Sequence, residues 1–418
     1  MSLSDISTKF NEKTLENIVA QYSGTKCVGW RFMGGFKKGD SYLSQVFRLQ
    51  IDGQRNDDNF QINTIIKSIP QNIGRRKTFR SDDFFRNEIN FYKHTMKACL
   101  DHQNKITDND KKKFNALPRC IDAFSDGEND FIVLEDLGVK GYGTVSRQTG
   151  MDFNHCKMAI ETLGKFHAVS LAFRYQKPQE FEKFVLQFVE ETYYDDKYHS
   201  WYKKFQHDQI VTALDAIEKE YPDTDIEVKS RDFLTNNLYG KLVKLTHDQN
   251  RYSVLGHGDC WTPNFLFKYG VDATIPIDVK MIDFQLARFA SPALDISFFI
   301  YSCTTQDLRV THYDDLLKAY HDALADQLKV YNLDVENVFP FRALNEEMLK
   351  SACFGIGMGI ESIPFSVMDD EETGDLDTIE GENAVDVTTV WIMRPIKSKE
   401  GRLRLADTFK HAVQMGYI

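Results

Sequence analysis

The chain has 418 residues with a formal net charge of −11 at pH 7, and 42% of its residues are hydrophobic and 27% charged. This composition is typical of a folded globular protein, and the length favours two lobes or domains over one small core. A negative charge of this size argues against nucleic-acid binding, because phosphate backbones require a basic surface. The same charge permits a cationic substrate without requiring one.

The cysteines and the apolar segments predict a cytoplasmic protein. Seven cysteines, an odd number, form no close pair and no metal-ligand spacing, which favours reduced thiols. The first residues lack the basic segment followed by an apolar one that a secretory signal requires. No apolar run reaches the length of a membrane span, and nothing in the sequence indicates an obligate protein partner.

The front of the chain predicts a helix over 5–22 and two antiparallel strands over 27–33 and 43–51. The connection between the strands contains Gly39 and Ser41. A glycine-containing turn of this kind can lay backbone N–H groups over phosphates. It lacks the Lys-Ser or Lys-Thr of a Walker motif, however, and by itself it is more often an ordinary hairpin.

Two charged residues follow in apolar surroundings. A third strand over 60–69 carries Lys67 near its end, and a half-buried charge there needs a partner. The next helix, for which Ser81 is the expected cap, carries Glu88 beside its inward stripe. The stripe repeats at four, three and four residues: Phe85, Ile89, Tyr92 and Met96. We therefore pair Lys67 with Glu88, the alternatives being a solvent-facing lysine and a surface glutamate.

Beyond this helix the sequence predicts a polar surface insertion over 101–116, then a hairpin of 119–124 and 131–135, and then mostly helices. The predicted helices cover 158–175, 181–221, 296–303, 313–331, 345–363 and 399–415. His167 is expected to be a satisfied core histidine. The acidic segment 368–383 is expected to be a solvated loop, with a lid over a cleft as the alternative.

An aromatic cluster allows two interpretations. Six rings lie close together in the sequence: Tyr193, Tyr194, Tyr198, Trp201, Tyr202 and Phe205. They could line part of a pocket for a substrate, whereas core packing is the more frequent use of such a cluster. The sequence leaves both interpretations open.

The clearest pattern is the stretch 254–267 followed by 279–284. Asp259, Asn264 and Asp283 each lie at the edge of a short apolar run typical of a buried strand, so we expect their side chains to converge. Phosphoryl transfer needs a carboxylate that orients the attacking hydroxyl and hard oxygen ligands for Mg²⁺. An Asp, four intervening residues and an Asn form the kinase catalytic-loop spacing, and a second Asp on a following strand supplies the other metal contact. Any one of them alone would more often be a turn residue.

At these residues the chain resembles the kinase-like phosphotransferases of small molecules, the group of aminoglycoside phosphotransferases and choline kinases. His257-Gly-Asp259 lies where protein kinases carry His-Arg-Asp, and Asp283-Phe-Gln285 lies where they carry Asp-Phe-Gly. Within this group it resembles in particular the insect ecdysteroid kinase-like family, also called CHK kinase-like. That likeness also rests on Ser291-Pro-Ala-Leu-Asp295 and on Gly39-Asp-Ser-Tyr-Leu-Ser44, and it extends over nearly the whole chain.

The resemblance implies an α+β, protein kinase-like fold with two lobes. A small N-lobe, residues 1–137, would hold an antiparallel sheet and bind the nucleotide. A larger, mainly helical C-lobe, residues 138–418, would hold the catalytic loop, the metal site and the acceptor pocket. ATP and Mg²⁺ are the implied cofactors, with the nucleotide between the lobes.

The resemblance also implies a role for each candidate residue. Asp259 would be the catalytic base, and Asn264 and Asp283 would hold Mg²⁺. The remaining candidates would bind nucleotide or support the site. Nucleotide binding would involve Lys67, which Glu88 fixes, the loop residues Gly39 and Ser41, and the backbone at Glu135 and Leu137. His257 and Asp295 would support the catalytic loop.

The implied activity is phosphorylation of a hydroxyl of a small molecule, such as an ecdysteroid or another apolar alcohol, including dietary and detoxified compounds. The alternatives are a choline- or aminoglycoside-type kinase of a cationic amino alcohol and an inactive nucleotide-binding scaffold. A protein kinase is disfavoured, because only eleven residues separate Asp283 from Asp295 and no Ala-Pro-Glu follows.

Overall fold

A computed structural model of the protein describes residues 1–34, 44–56, 58–368 and 379–418. The first part of the chain forms a five-stranded antiparallel sheet with the strand order β1-β2-β3-β5-β4. Its strands are β1 Lys26–Met33, β2 Gln45–Arg55, β3 Asp58–Ser68, β4 Cys120–Phe124 and β5 Phe131–Glu135. They occupy the segments that the sequence predicts as strands. Gly39 and Ser41 lie outside the described residues, so their predicted role stays a prediction.

Side-chain alternation along β3 separates the two faces of the sheet. Ile62 and Ile66 are buried in a core that helix α1, Glu12–Gln21, covers from one side. Lys67 has the opposite parity, so its side chain leaves the other face of the sheet, toward the second part of the chain. The predicted leading helix over 5–22 is too long, because Asn11 caps α1 by accepting the backbone N–H groups of Lys13 and Thr14.

Three helices connect β3 to β4, and a π-helical turn at Phe91–Thr95 joins the last two. They are α2 Ile73–Phe79, α3 Ser81–Asn90 and α4 Met96–Ile106. The predicted stripe from Phe85 to Met96 is buried throughout. The predicted cap at Ser81 is wrong, because Arg80 occupies the N-cap position in a left-handed conformation with φ of 53°. Arg80 ends α2 there and pairs with Asp83 at 2.6 Å, so one residue closes one helix and opens the next.

The second part of the chain is mainly helical around one large apolar core. Its longest helices, α5 Phe153–Gln176 and α11 Gln306–Val330, pack against each other. The others are α6 Pro178–Phe184, α7 His199–Glu220, α8 Asp225–Thr235, α9 Leu238–His247, α10 Pro292–Cys303, α12 Val335–Val338, α13 Phe341–Ser351, α14 Cys353–Val367 and α15 Lys399–Met415.

Short antiparallel ladders hold the segments that carry the catalytic motif. They are formed by β6 Tyr142–Gly143, β7 Val254–Gly256, β8 Phe265–Tyr269, β9 Pro276–Met281 and β10 Arg288–Ala290. β7 pairs with β10, and β8 pairs with both β6 and β9. Residues 257–264 therefore form the loop from β7 to β8, and residues 282–287 form the loop from β9 to β10. This pairing brings the two polar segments of the motif side by side.

Three further predicted elements need correction. The single helix over 181–221 is wrong, because α6 ends at Phe184 and α7 begins only at His199. The helix over 345–363 is two helices, which meet at Ala352. The surface insertion over 101–116 is wrong in part, because α4 continues to Ile106 and Phe114 is buried against the main core.

The predicted α+β fold with a small antiparallel sheet followed by a larger helical part is confirmed. The exact lobe boundary between residues 137 and 138 stays a prediction. In the acidic segment, residues 369–378 lie outside the described residues. Just after them, the carbonyl of Ile379 accepts a hydrogen bond from Asn72, and the ring of Trp391 packs on Phe79 at 4.8 Å between centroids. The end of the chain thus returns to α2 beside the sheet.

The described residues also address two expectations from composition. All seven cysteines are free thiols, as their spacing predicts. Within the ranges given above, no helix has both the length and the apolar character of a membrane-spanning segment.

Candidate active site

The buried lysine of β3 lies between two carboxylates from distant parts of the chain. Lys67 Nζ is 2.6 Å from Glu88 Oε2 and 2.9 Å from Asp283 Oδ1. Burial alone would lower the pKa of Lys67, but the negative charges of Asp283 and Glu88 outweigh it and raise the pKa. The lysine therefore remains charged at any physiological pH. Glu88 also accepts the backbone N–H of Phe284 at 3.3 Å, which ties α3 to the loop that carries Asp283.

The aromatic ring of Phe284 anchors the loop that carries Asp283 in the core. Phe284 is fully buried and stacks on Phe91 at 4.0 Å between centroids and 4° between planes. Asp283 itself has φ of 68°, a left-handed conformation that is uncommon for a residue other than glycine. We infer that this packing holds Asp283 in a conformation it would otherwise rarely adopt. In this conformation the carboxylate of Asp283 points at Lys67.

The loop from β7 to β8 brings Asp259 and Asn264 together. Asn264 Nδ2 donates to the backbone oxygen of Asp259 at 2.9 Å and to its carboxylate Oδ2 at 2.8 Å. These bonds leave the side-chain oxygen of Asn264 for another partner. The backbone oxygen of Asn264 accepts the N–H of Ile282 at 3.0 Å, so Asn264 adjoins the segment that leads into Asp283.

Gly258 is required for the tight path of this loop. Its φ is +84°, and a Cβ at this position would lie 1.8 Å from the carbonyl oxygen of Leu286. No other residue fits there without moving the neighbouring loop. The glycine of His-Gly-Asp thus allows the two loops to touch.

His257 connects the same two loops through both ring nitrogens. Its Nδ1 accepts the backbone N–H of Asp259 at 3.2 Å, and its Nε2 lies 3.0 Å from the carbonyl oxygen of Ile282. An acceptor at Nδ1 and a donor at Nε2 require the neutral ring, and burial lowers the pKa of His257 in agreement. The neutral ring therefore links the two loops by hydrogen bonds.

Asp295, in the first turn of α10, holds the backbone of the Asp259 loop. Its carboxylate accepts the N–H of His257 at 2.6 Å and that of Gly258 at 2.9 Å, and it lies 3.1 Å from His167 Nε2. Burial would raise the pKa of Asp295, but these hydrogen bonds, that of His167 foremost, lower it to about 2. His167 also contacts the hydroxyl of Tyr320 at 2.8 Å, so this buried histidine is satisfied, as expected.

We expect Asp295→Asn to lower the free energy of unfolding by about 2–4 kcal/mol and to lower kcat, because an amide cannot accept all three bonds. A depressed carboxyl pKa contributes stability above the unfolded pKa of about 3.9, and this contribution is lost as the pH falls toward 2. Urea unfolding should therefore show a large gap between variant and wild type at pH 7 that narrows below pH 4.

The matched control is Asp272→Asn, which changes an exposed turn aspartate that accepts hydrogen bonds from Thr274 of its own loop. Its effect on stability should stay within about 0.5 kcal/mol. Equal effects of the two substitutions would contradict the supporting role of Asp295.

Burial and neighbouring negative charge raise the pKa of Asp259. Burial first, then the charge of Asp283 and less strongly that of Glu361, raise the pKa of Asp259 to about 8. A carboxylate with a raised pKa is a stronger base once it is ionised. The crowding of acidic groups that raises this pKa would be relieved by a cation among them.

The donor set of the two loops fits a magnesium ion. Mg²⁺ prefers hard oxygen ligands and is usually held by one or two carboxylates together with substrate phosphates. Asp283 offers a partly exposed carboxylate, and Asn264 offers an amide oxygen in the adjoining loop. Their oxygens and the excess of negative charge beside Asp259 match this preference.

Glu135 and Leu137, at the end of β5, are predicted to contact the nucleotide through backbone groups, and some of these groups already form hydrogen bonds. The carbonyl of Leu137 already accepts the N–H groups of Lys140 and Tyr142 at 3.0 and 3.2 Å. The N–H of Glu135 donates to the carbonyl of Arg119. A nucleotide base at this position would therefore find the N–H of Glu135 and the carbonyl of Leu137 already hydrogen-bonded.

The sequence alone missed a second cluster, which surrounds Glu361 of α14. Tyr193 and Tyr202 donate their hydroxyls to its carboxylate at 2.8 and 2.6 Å, and Gln209 donates at 3.0 Å. The core-packing interpretation of the aromatic cluster is confirmed for Tyr193, Tyr194, Tyr202 and Phe205, which are buried, and the substrate-pocket interpretation stays a prediction. A signal was present in the sequence: Glu361 is the one charged residue of the apolar helix α14.

The family model described as the ecdysteroid kinase-like family matches residues 38–333, more than half of the chain. The chain belongs to the ecdysteroid kinase-like family. This confirms the resemblance seen in the motifs, and it makes the protein a small-molecule kinase by family. A search of curated protein sequences finds no match.

Several solved structures are similar to this member of the ecdysteroid kinase-like family. An ethanolamine kinase of Plasmodium vivax is 15% identical with a TM-score of 0.41, and the alignment covers 93% of this chain and 84% of that one. A glucosamine kinase is 10% identical with a TM-score of 0.37, covering 96% and 84%. The GDP complex of wild-type aminoglycoside 2'-phosphotransferase-IIIa is 15% identical with a TM-score of 0.34, covering 84% and 97%.

Proposed function

We propose that the protein transfers the γ-phosphoryl group of ATP to a hydroxyl of a small alcohol, with Mg²⁺ as cofactor. The single observation that supports this most is the convergence of Lys67, Glu88 and Asp283 in one buried ion-pair network. These residues come from a strand, a helix and a loop as far as 216 positions apart. Phosphoryl transfer depends on such positioning and on charge more than on covalent help from the protein.

In the proposed reaction, the acceptor hydroxyl oxygen forms a bond to the γ-phosphorus while the bond from that phosphorus to the bridging oxygen of ADP breaks. Asp259 orients the hydroxyl and receives its proton, and ADP leaves with the electron pair. Lys67 contacts the phosphates, and Glu88 keeps the lysine in place. A magnesium ion held by Asn264 and Asp283 would neutralise charge on the phosphate oxygens.

The remaining residues act on these groups indirectly. His257 and Asp295 keep the loop of Asp259 in shape, through the hydrogen bonds described above. The backbone of Glu135 and Leu137 is proposed to meet the nucleotide base, and Gly39 and Ser41 to meet its phosphates. An inactive nucleotide-binding scaffold is the weaker alternative, because it would be expected to lack one of the groups that phosphoryl transfer requires.

We further propose an apolar or polycyclic alcohol as acceptor, such as an ecdysteroid or a xenobiotic alcohol. The mainly apolar and aromatic surroundings of Glu361 support this, because pockets for such ligands are mostly apolar and hold a few polar groups. A cationic amino alcohol is the second candidate, and the buried carboxylate of Glu361 is the observation that favours it.

The test is release of ADP by the full-length protein with Mg²⁺ and ATP against a panel of steroids, plant alcohols and amino alcohols. We expect one class to stimulate ADP release and EDTA to abolish it. Mg·ATP should also raise the melting temperature, since a ligand that binds only the folded state stabilises it. Absence of both the thermal shift and any stimulation would exclude the proposed function.

A further inference from the structure

Glu361 is an acidic residue that takes no part in the proposed transfer step itself. Its carboxylate receives hydrogen bonds from Tyr193, Tyr202 and Gln209, whose own side chains are buried. Glu361 is nevertheless only partly buried as a residue. Glu361 thus keeps accessible surface although its three hydrogen-bond donors are buried.

Two short contacts through the end of α10 connect the helix of Glu361 to the catalytic loop. Cys303 Sγ lies 3.7 Å from the backbone oxygen of Cys260, the residue after Asp259. The hydroxyl of Ser302 lies 2.7 Å from that of Ser362, the residue after Glu361. The end of α10 therefore contacts the neighbours of both acidic residues.

The segment that carries the tyrosines is tied to the loop of Asp283 as well. Thr192 Oγ1 donates to the carbonyl of Gln285 at 3.3 Å, and Glu191 pairs with Arg288 of β10 at 2.9 Å. The side chains of this pair are 8% and 3% exposed, so it is a fixed internal contact. The Glu361 cluster thus adjoins both loops of the candidate site.

The carboxylate has room for another donor. An ionised carboxylate offers about four acceptor positions. Oε2 accepts from Tyr193, Tyr202 and Gln209, whereas Oε1 accepts only from Tyr193, at 3.0 Å. Over the described ranges no lysine, arginine or histidine forms a salt bridge with Glu361. A charge in this position gains from a further donor, because it is desolvated and receives hydrogen bonds from neutral groups alone.

We propose that Glu361 binds a second hydrogen-bond donor of the acceptor, a hydroxyl or an ammonium, while Asp259 receives the hydroxyl that is phosphorylated. The preferred substrate class is then an alcohol with two donors held apart by an apolar frame. This inference rests on the proposed function for the position of the reacting hydroxyl. The contacts around Glu361 are independent of it.

The test uses acceptors in matched pairs that differ by one group: a diol and its monodeoxy analogue, and an amino alcohol and the analogue with a methyl group in place of the ammonium. Their KM and kcat values are compared for wild type and Glu361→Gln. We expect KM for the two-donor members to rise about tenfold or more, with KM for the one-donor members and for ATP unchanged. A larger loss for the diols identifies a hydroxyl as the bound donor, and a larger loss for the amino alcohols an ammonium.

Equal changes for both members of each pair, or no change, would overturn the inference. The matched control is Glu347→Gln, a buried carboxylate of α13 that accepts from Asn250 and should produce no pair-dependent change. If Glu361→Gln does not fold, Glu361→Asp decides the same question, because it moves the carboxylate back by one methylene. It should weaken the binding of the two-donor acceptors and leave the binding of the one-donor acceptors unchanged.

Calorimetric titration of the same pairs without nucleotide separates this inference from the proposed function. Tighter binding of two-donor members by wild type, lost in the Glu361 variant, supports the inference even if no compound is phosphorylated. Failure of wild type to prefer the two-donor members would overturn it, even if ADP release confirms a kinase.

Discussion

Asp259→Asn is expected to lower kcat by about 10²–10⁴-fold while the KM for Mg·ATP stays near its wild-type value, because the substitution removes the proposed proton acceptor and leaves Lys67 and Asp283 in place. Initial rates of ADP formation at saturating acceptor measure this. Wild-type activity should increase with pH as Asp259 ionises, with a midpoint at or below the pKa of about 8. The variant should lack this increase.

The matched control for this substitution is Asp278→Asn. Asp278 lies on β9, its side chain is 47% exposed, and it accepts from the hydroxyl of Tyr142 outside the two catalytic loops. Its replacement should leave kcat within about twofold of wild type. Comparable losses in the two variants would contradict the proposed role of Asp259.

Asp259→Asn should be more stable than wild type in alkaline, metal-free solution. The folded-state pKa of Asp259 is about 8, well above the value of about 3.9 in the unfolded chain, so the folded protein holds this proton more tightly. Stability therefore falls as the pH rises from about 4 to 8, while the asparagine has no proton to lose. Urea unfolding in EDTA should show that the free energy of unfolding falls less from pH 5 to pH 8 in Asp259→Asn than in wild type. Equal losses would refute the raised pKa.

The predictable part of the candidate site is the part whose geometry is local. Asp259 and Asn264 lie in one loop between two short apolar strands, so their spacing nearly determines that they meet. The ladders on either side are also visible in the sequence as short runs of buried residues. The contact of Lys67 with Asp283 joins residues 216 positions apart, and the sequence predicted only the pairing of Lys67 with Glu88.

The errors have physical reasons that a pattern of residue types does not contain. Ser81 followed by two aspartates is a sound cap signal, but α2 ends one residue earlier and Arg80 takes the cap position in a left-handed conformation. The stretch between Phe184 and His199 looks helical, yet Glu191 is drawn out of helix by Arg288, with the N–H groups of Tyr193 and Tyr194 donating to the same carboxylate. At the second place a tertiary contact overrides local preference.

Lys67→Met is expected to impair both catalysis and stability. We expect kcat/KM for Mg·ATP to fall by about 10²–10³-fold, since the ammonium is proposed to contact the phosphates. We also expect the free energy of unfolding to fall by about 3–5 kcal/mol, because the substitution leaves Glu88, 2% exposed, as an unpaired buried charge. Steady-state kinetics and urea unfolding at pH 7 measure the two effects.

The matched control is Lys280→Met. Lys280 has nearly the same side-chain exposure, 12% against 11%, but its ammonium donates to the backbone oxygen of Asn115. It should lose less stability and leave kinetics with Mg·ATP unchanged. A fall in kcat/KM for Mg·ATP in this variant would indicate a general effect of removing a lysine of low exposure.

A double substitution separates the two effects of Lys67. In Lys67→Met with Glu88→Leu, neither charge remains to be desolvated, so most of the lost stability should return, because buried ion pairs replaced on both sides by apolar groups are often nearly neutral. Activity should remain as low as in Lys67→Met, since the phosphates still lack their cation. Recovery of stability without recovery of activity would show that the strand lysine serves the reaction, and that Glu88 serves the lysine. Recovery of both would remove Lys67 from the proposed mechanism.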